Sequence, residues 1–244
     1  MVTQVFIAGL ITALFTGLGA IPFFFVRNVS DRTMGIANAI ASGLMLGASI
    51  GLVVEGAEYS LTRVGVGILL GLLLVVVAHN LIDRHGEVDF GELGQANGRK
   101  MLLIVGIMFV HSFAEGIGVG VAYGGETGDV LGRLITIAIA VHNIPEGLAI
   151  ALVLVPRGTS VWKAGWWAIF SSLPQPFMAA LAFLFVLFFE PFLPVGLGLA
   201  GGAMIWMVFS ELMPETEGKI STSTAVITMG LATLAMMTFQ DFLG

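Results

Sequence analysis

The chain has 244 residues, 57% of them hydrophobic and only 11% charged, with a net charge of -6 and no cysteine. Soluble domains carry about 25% charged residues, so this composition cannot cover a water-facing surface, and its apolar excess must meet lipid. The acidic balance excludes nucleic acid as a partner and argues against strong attraction to anionic head groups. Without cysteine there is neither a disulfide framework nor a thiolate metal site.

Apolar runs of about 20 residues, the length that crosses a bilayer, occur eight times: Gln4–Val26, Met34–Val54, Val64–Ile82, Lys100–Ala122, Leu131–Val155, Lys163–Phe189, Phe192–Met213 and Ile220–Phe242. The first begins within a few residues of Met1 and lacks a basic leader and a small-residue cleavage motif, so it reads as a retained span. The longest connection, DRHGEVDFGELGQANGR at 83–99, divides a three-helix block from a five-helix block. The expectation is an all-α polytopic membrane protein with one domain over 1–244 and the lipid bilayer as its setting.

Loop arginines and lysines set the direction. With the N-terminus outside, the inner loops hold Arg27, Arg32, Arg84, Arg99, Lys100, Arg157, Lys163 and Lys219, and the outer loops hold Arg63 and Arg133. Both termini are expected outside, with 83–99 in the cytoplasm, in a plasma or inner membrane. A short echo points to an inverted repeat: ASGLMLGAS in the second span and AGGAMIWMV in the seventh place Met45 and Met204 in register. HSFAEG and HNIPEG in the fourth and fifth spans echo each other likewise. Repeat-built transporters bind substrate at the repeat interface near the midplane.

Away from their ends, the eight spans carry four ionisable side chains: His111, Glu115, His142 and Glu146. A charged residue at the bilayer centre costs about 2.5–3.5 kcal/mol even on lenient insertion scales, so two carboxylates at one depth need a partner. Each His stands four residues before its Glu, which stacks the two on one helical face. Two such helices facing each other offer two imidazoles and two carboxylates, and a divalent cation cancels the repulsion of the acids. Imidazole with carboxylate suits transition metals better than Mg or Ca, which prefer all-oxygen shells.

The neighbourhood fits an ion path. Gly116, Gly118 and Gly120 allow close helix approach, Pro145 interrupts the backbone ladder at the ligand turn, and Ser171 and Gln175 flank Pro174 in the sixth span. Met45 is central in the second span, although methionine is also a common core filler. His79 reads as a helix-end residue that snorkels to the interface. His85, Glu87, Asp89 and Glu92 read as solvated loop charges. Glu211, Glu215 and Glu217 at the inner end, and Glu55, Glu58, Glu126 and Asp129 outside, are candidates for vestibule lining.

VHNIPEGLAIAL in the fifth span resembles the signature helix of the ZIP (Zrt/Irt-like) metal transporters. HSFAEGIGVG is similar to that family's fourth helix, SSLPQP to its sixth and WMVFSELMPE to its seventh. The resemblance implies a two-helix metal site at the membrane centre, import of zinc, iron or related divalent ions, and movement of one helix group against another. It implies His111, Glu115 and Glu146 as primary ligands, Met45 as a further contributor and His142 as a neighbour. Zinc leads the expected substrates, with Fe, Mn, Cd and Co behind it, and homodimerisation is left open. Ser112, Asn143 and Gln175 stand where family members often place an Asn, an acid or Asn, and a Glu around a second adjacent ion. The competing reading is an intramembrane metal-dependent hydrolase, which needs an open coordination position and a separate base.

Overall fold

A computed structural model describes residues 1–26, 29–85, 95–124 and 128–243. Every long element among them is a helix: α1 Val2–Leu18, α2 Asp31–His85, α3 Gln95–Ala122, α4 Gly128–Leu154, α5 Val161–Ser172, α6 Pro174–Phe188, α7 Leu193–Met207 and α8 Thr222–Leu243. Seven stretches of the described residues are helical, long and apolar enough to cross a membrane. The chain is therefore an all-α polytopic membrane protein. Most of the cytoplasmic connection expected at 83–99, including Glu87, Asp89, Gly91 and Glu92, lies outside the described residues, as does Glu126.

Where the sequence suggests separate second and third spans, the structure has one helical element interrupted only at Ser60, whose backbone is extended (φ -169°, ψ 111°). Neither proline nor a glycine cluster marks the spot, because residues 55–63 are mostly competent helix formers. The chain nevertheless folds back there. A Cβ placed on Gly56 would meet Val64, eight residues on, whereas a straight helix would separate those positions by about 12 Å.

The packing of α7 fixes the course of the two arms. Gly56 neighbours Leu197 while Gly201 neighbours Leu52 and Val53, so the first arm runs antiparallel to α7. Gly198 neighbours Val64 and Gly202 neighbours Ile68, so the second arm runs parallel to it. The small residues of α7 let both arms reach its backbone, the usual device where lipid supplies no hydrophobic drive.

The sixth expected span, Lys163–Phe189, is two helices joined at Leu173–Pro174. Pro174 cannot donate to the preceding turn but suits the first position of a new helix. The seventh ends in a π-turn over Val208–Leu212 that carries Glu211. Helices α2, α7 and α8 form one packed group and α1, α4, α5 and α6 another, with α3 touching both.

Candidate metal centre

The i, i+4 spacing holds in space. His111 and Glu115 on α3 and His142 and Glu146 on α4 offer donor atoms that all lie within 4.8 Å of one another. All four side chains are 0–1% exposed. His142 Nε2 stands 2.6 Å from Glu115 Oε1, and His111 Nε2 stands 3.5 Å from the same oxygen. His142 Nε2 is 3.9 Å from Glu146 Oε2.

These approaches lack hydrogen-bond direction. Both nitrogens of His111, both of His142, Glu115 Oε1 and both oxygens of Glu146 have no hydrogen-bond partner. Buried polar atoms are nearly always paired, and this many orphans facing one point could together hold a cation. No Lys or Arg lies in the buried polar set of the described residues. Two carboxylates and two imidazoles, with borderline-soft nitrogen and hard oxygen, form a donor set suited to zinc and its neighbours in the first transition row.

The neutral positions sort differently from one another. Gln175, at the start of α6, donates from Nε2 to Glu115 Oε2 at 2.6 Å. Asn143 donates from Nδ2 to the Thr12 carbonyl at 2.9 Å and to Gln175 Oε1 at 3.2 Å, leaving its own Oδ1 without a partner. Ser112 is fully buried with an unpartnered hydroxyl. Met45 is buried in the core on the first arm of α2. Ser171 donates to the Ala168 carbonyl of its own helix.

Sequence reasoning missed Thr12, a fully buried residue of α1 whose hydroxyl lies 2.5 Å from Gln175 Oε1. Its signal was a second hydroxyl one turn on, at Thr16, which meets Ser172 at 2.8 Å. Two threonines four apart in an otherwise apolar run mark the polar edge of α1.

Glycine brings the supporting helices close. A Cβ on Gly116 would lie 2.6 Å from the backbone oxygen of Gln175, and backbone cannot step aside as a side chain can. Gly116→Ala is therefore expected to lower stability by about 1–3 kcal/mol through overpacking, read as a drop in Tm of the purified protein. An unchanged Tm would mean that α3 and α6 are looser than this packing states.

A cavity of about 440 Å³ opens beside the centre. Its inner wall includes Ile107, one turn before His111, and Ala149, three residues after Glu146. Its mouth carries Arg157, Glu211, Glu215 and Lys219, all four assigned from the sequence to the cytoplasmic side. Glu217 lies elsewhere, on a separate surface hollow. His79 does more than snorkel: its Nδ1 is 3.1 Å from Glu211 Oε1 and its ring lies edge-on to Trp206. At the opposite end Asp129 pairs with Arg133 at 2.6 Å and accepts from Gln4 at 3.2 Å. Glu55 lines a second hollow with Gln240 and Asp241.

Fold and site together define a polytopic helical membrane protein with a buried His/Glu cluster on two adjacent helices, a candidate metal centre. The family model of the ZIP zinc transporters matches residues 78–238. The chain is 32% identical to zinc transporter GufA of Myxococcus xanthus over 86% of its own length and 87% of that protein's. It is 33% identical to zinc transporter ZIPB of Bordetella bronchiseptica, covering 93% of this chain and 76% of that one. A protein of Arabidopsis thaliana bearing a zinc-transporter name is 44% identical over 93% of the chain, which spans only 37% of that relative's length. The chain belongs to the ZIP zinc transporter family. Its relatives are transporters and not enzymes, and the hydrolase reading falls away.

Proposed function

We propose that this protein carries a divalent transition-metal ion, zinc foremost, toward the cytoplasm by alternating access through the His111, Glu115, His142 and Glu146 centre. The observation that carries the reading is the convergence of His111, Glu115 Oε1, His142 and Glu146, fully buried and without hydrogen-bond partners, with no Lys or Arg in the buried polar set of the described residues. The zinc-transporter names of the relatives support the choice of metal. Met45, Asn143, Ser112 and Gln175 border this centre in the proposal, the first three as further donors to an ion in transit.

Eight crossings, with both termini outside and one domain over 1–244, follow if the two arms of α2 each span the bilayer. Their antiparallel course supports that count. It also supports the inverted repeat, since the first arm of α2 and α7, which carry the ASGLMLGAS and AGGAMIWMV echo, run in opposite directions. The 440 Å³ cavity supports an inward-facing arrangement, in which the ion leaves past Glu211 and Glu215. Movement of the α1, α4, α5 and α6 group against α2, α7 and α8 would open the other side.

The test is uptake by purified protein in liposomes across Zn, Fe, Mn, Cd and Co. Zinc is expected to accumulate fastest, with slower entry of the others. No accumulation of any of the five would overturn the proposal.

A further inference from the structure

The hydrogen bonds behind Glu115 run in one direction and cross three helices. Gln175 Oε1 is met by two donors, Thr12 Oγ1 of α1 at 2.5 Å and Asn143 Nδ2 of α4 at 3.2 Å. The Thr12 hydroxyl also lies 2.8 Å from the Gly9 carbonyl, and Asn143 Nδ2 is anchored on the Thr12 carbonyl at 2.9 Å. All three side chains are 0% exposed, so no water competes for these groups.

This arrangement settles which way the Gln175 amide faces. A flipped amide would set its N–H groups against the Asn143 N–H groups and its carbonyl against the Glu115 carboxylate, two repulsive contacts in a dry site. The amide therefore keeps Nε2 on Glu115 Oε2, at 2.6 Å. The other oxygen, Oε1, is the one beside both imidazoles.

Building on the transport reading above, we infer that Thr12 and Asn143 are positioning residues which, through Gln175, hold Glu115 to one-oxygen coordination and thereby set the preference for zinc. Zinc favours four ligands in a tetrahedron with short metal–oxygen bonds. Manganese favours six oxygen-rich ligands, and a carboxylate free to offer both oxygens helps to reach that number. A carboxylate with one oxygen tethered to an amide gives its second to neither metal, and this penalises manganese more.

Thr12→Val keeps the shape of the threonine and removes the hydroxyl. Gln175 Oε1 then loses its shortest contact; Asn143 still sets the direction of the amide, but the hold of Nε2 on Glu115 Oε2 loosens and that oxygen becomes available to the ion. Thr12→Ser keeps the hydroxyl. The experiment is equilibrium competition of Zn and Mn for the purified full chain, with Tm recorded for each variant without metal.

The expected result is that Thr12→Val narrows the Zn over Mn affinity ratio by about tenfold, in the range found when groups behind a metal ligand are removed. Thr12→Ser is expected to retain the wild-type ratio. A hydroxyl that only braced α1 would lower Tm in Thr12→Val and leave the ratio unmoved, and that outcome overturns the inference. If Thr12→Val does not fold, Thr12→Ala takes its place with the same criterion. Should wild-type and Glu115→Ala proteins bind zinc equally, the reading of the centre itself fails; loss of zinc only in Glu115→Ala leaves that reading standing and the Thr12 result decisive.

Discussion

Replacing Glu115 or Glu146 by alanine is expected to reduce metal uptake more than about a hundredfold while leaving a folded, extractable protein. The magnitude exceeds what loss of a group behind a ligand brings, about ten- to a hundredfold in affinity or activity, because the ligand itself is gone. The folding half of the expectation comes from what these carboxylates do not hold. Neither oxygen of Glu146 has a hydrogen-bond partner, and Glu115 has one, the Gln175 amide. Helices α3 and α4 are docked by backbone approaches at Gly116 and Gly147, which the substitutions leave untouched.

Tm with and without zinc separates the two halves. A ligand at one hundred times its Kd stabilises the native state by about 2.7 kcal/mol, so wild-type protein should gain Tm on zinc addition and both variants should lose most of that gain. Retained uptake in either variant would remove that residue from the ion's path. A collapse of Tm in metal-free protein would show that the carboxylate braces the fold.

The convergence of the four candidate ligands was legible because helical periodicity is strict and an acid in a membrane helix is rare. His111 with Glu115, and His142 with Glu146, could only share a face. The reversal at Ser60 was half legible: hydropathy required two spans, yet residues 55–63 hold no proline and a single glycine, Gly56, and both arms pack on α7. Leu173–Pro174 carried its break in plain view, but a proline inside an apolar run is read as readily for a kink as for two helices. Thr12 was hidden for a different reason. A threonine in a membrane helix usually bonds to its own backbone, as Thr12 also does at Gly9, and only the three-dimensional meeting of α1 with α6 gives its hydroxyl a second role. Gln175 was recognisable as polar lining, whereas the direction of its amide depends on partners from two other helices.

Metal stoichiometry follows from charge and from that same amide. Two divalent ions would bring four positive charges to a centre whose acids, among the described residues, are Glu115 and Glu146, since Ser112, Asn143 and Gln175 contribute none. The first ion is neutralised. A second would leave two charges uncompensated in a low-dielectric site, where each costs several kcal/mol unless paired. Gln175 worsens matters for a second ion, because it presents N–H groups, which repel cations, at Glu115 Oε2. One tightly held metal per chain is therefore expected, counted by elemental analysis of protein equilibrated with zinc or by anomalous scattering from crystals. Asn143→Asp together with Gln175→Glu adds two carboxylates where the amides now stand and turns the Glu115 Oε2 contact from a donor into an acid. Without metal those acids repel, so the double variant should lose Tm in chelator and regain it with zinc, and its count should rise from one to two. Two fully occupied central metals in the unmodified chain would mean that water, a bound anion or the unpartnered Asn143 and Ser112 oxygens balance the second ion, and the charge argument would then fail.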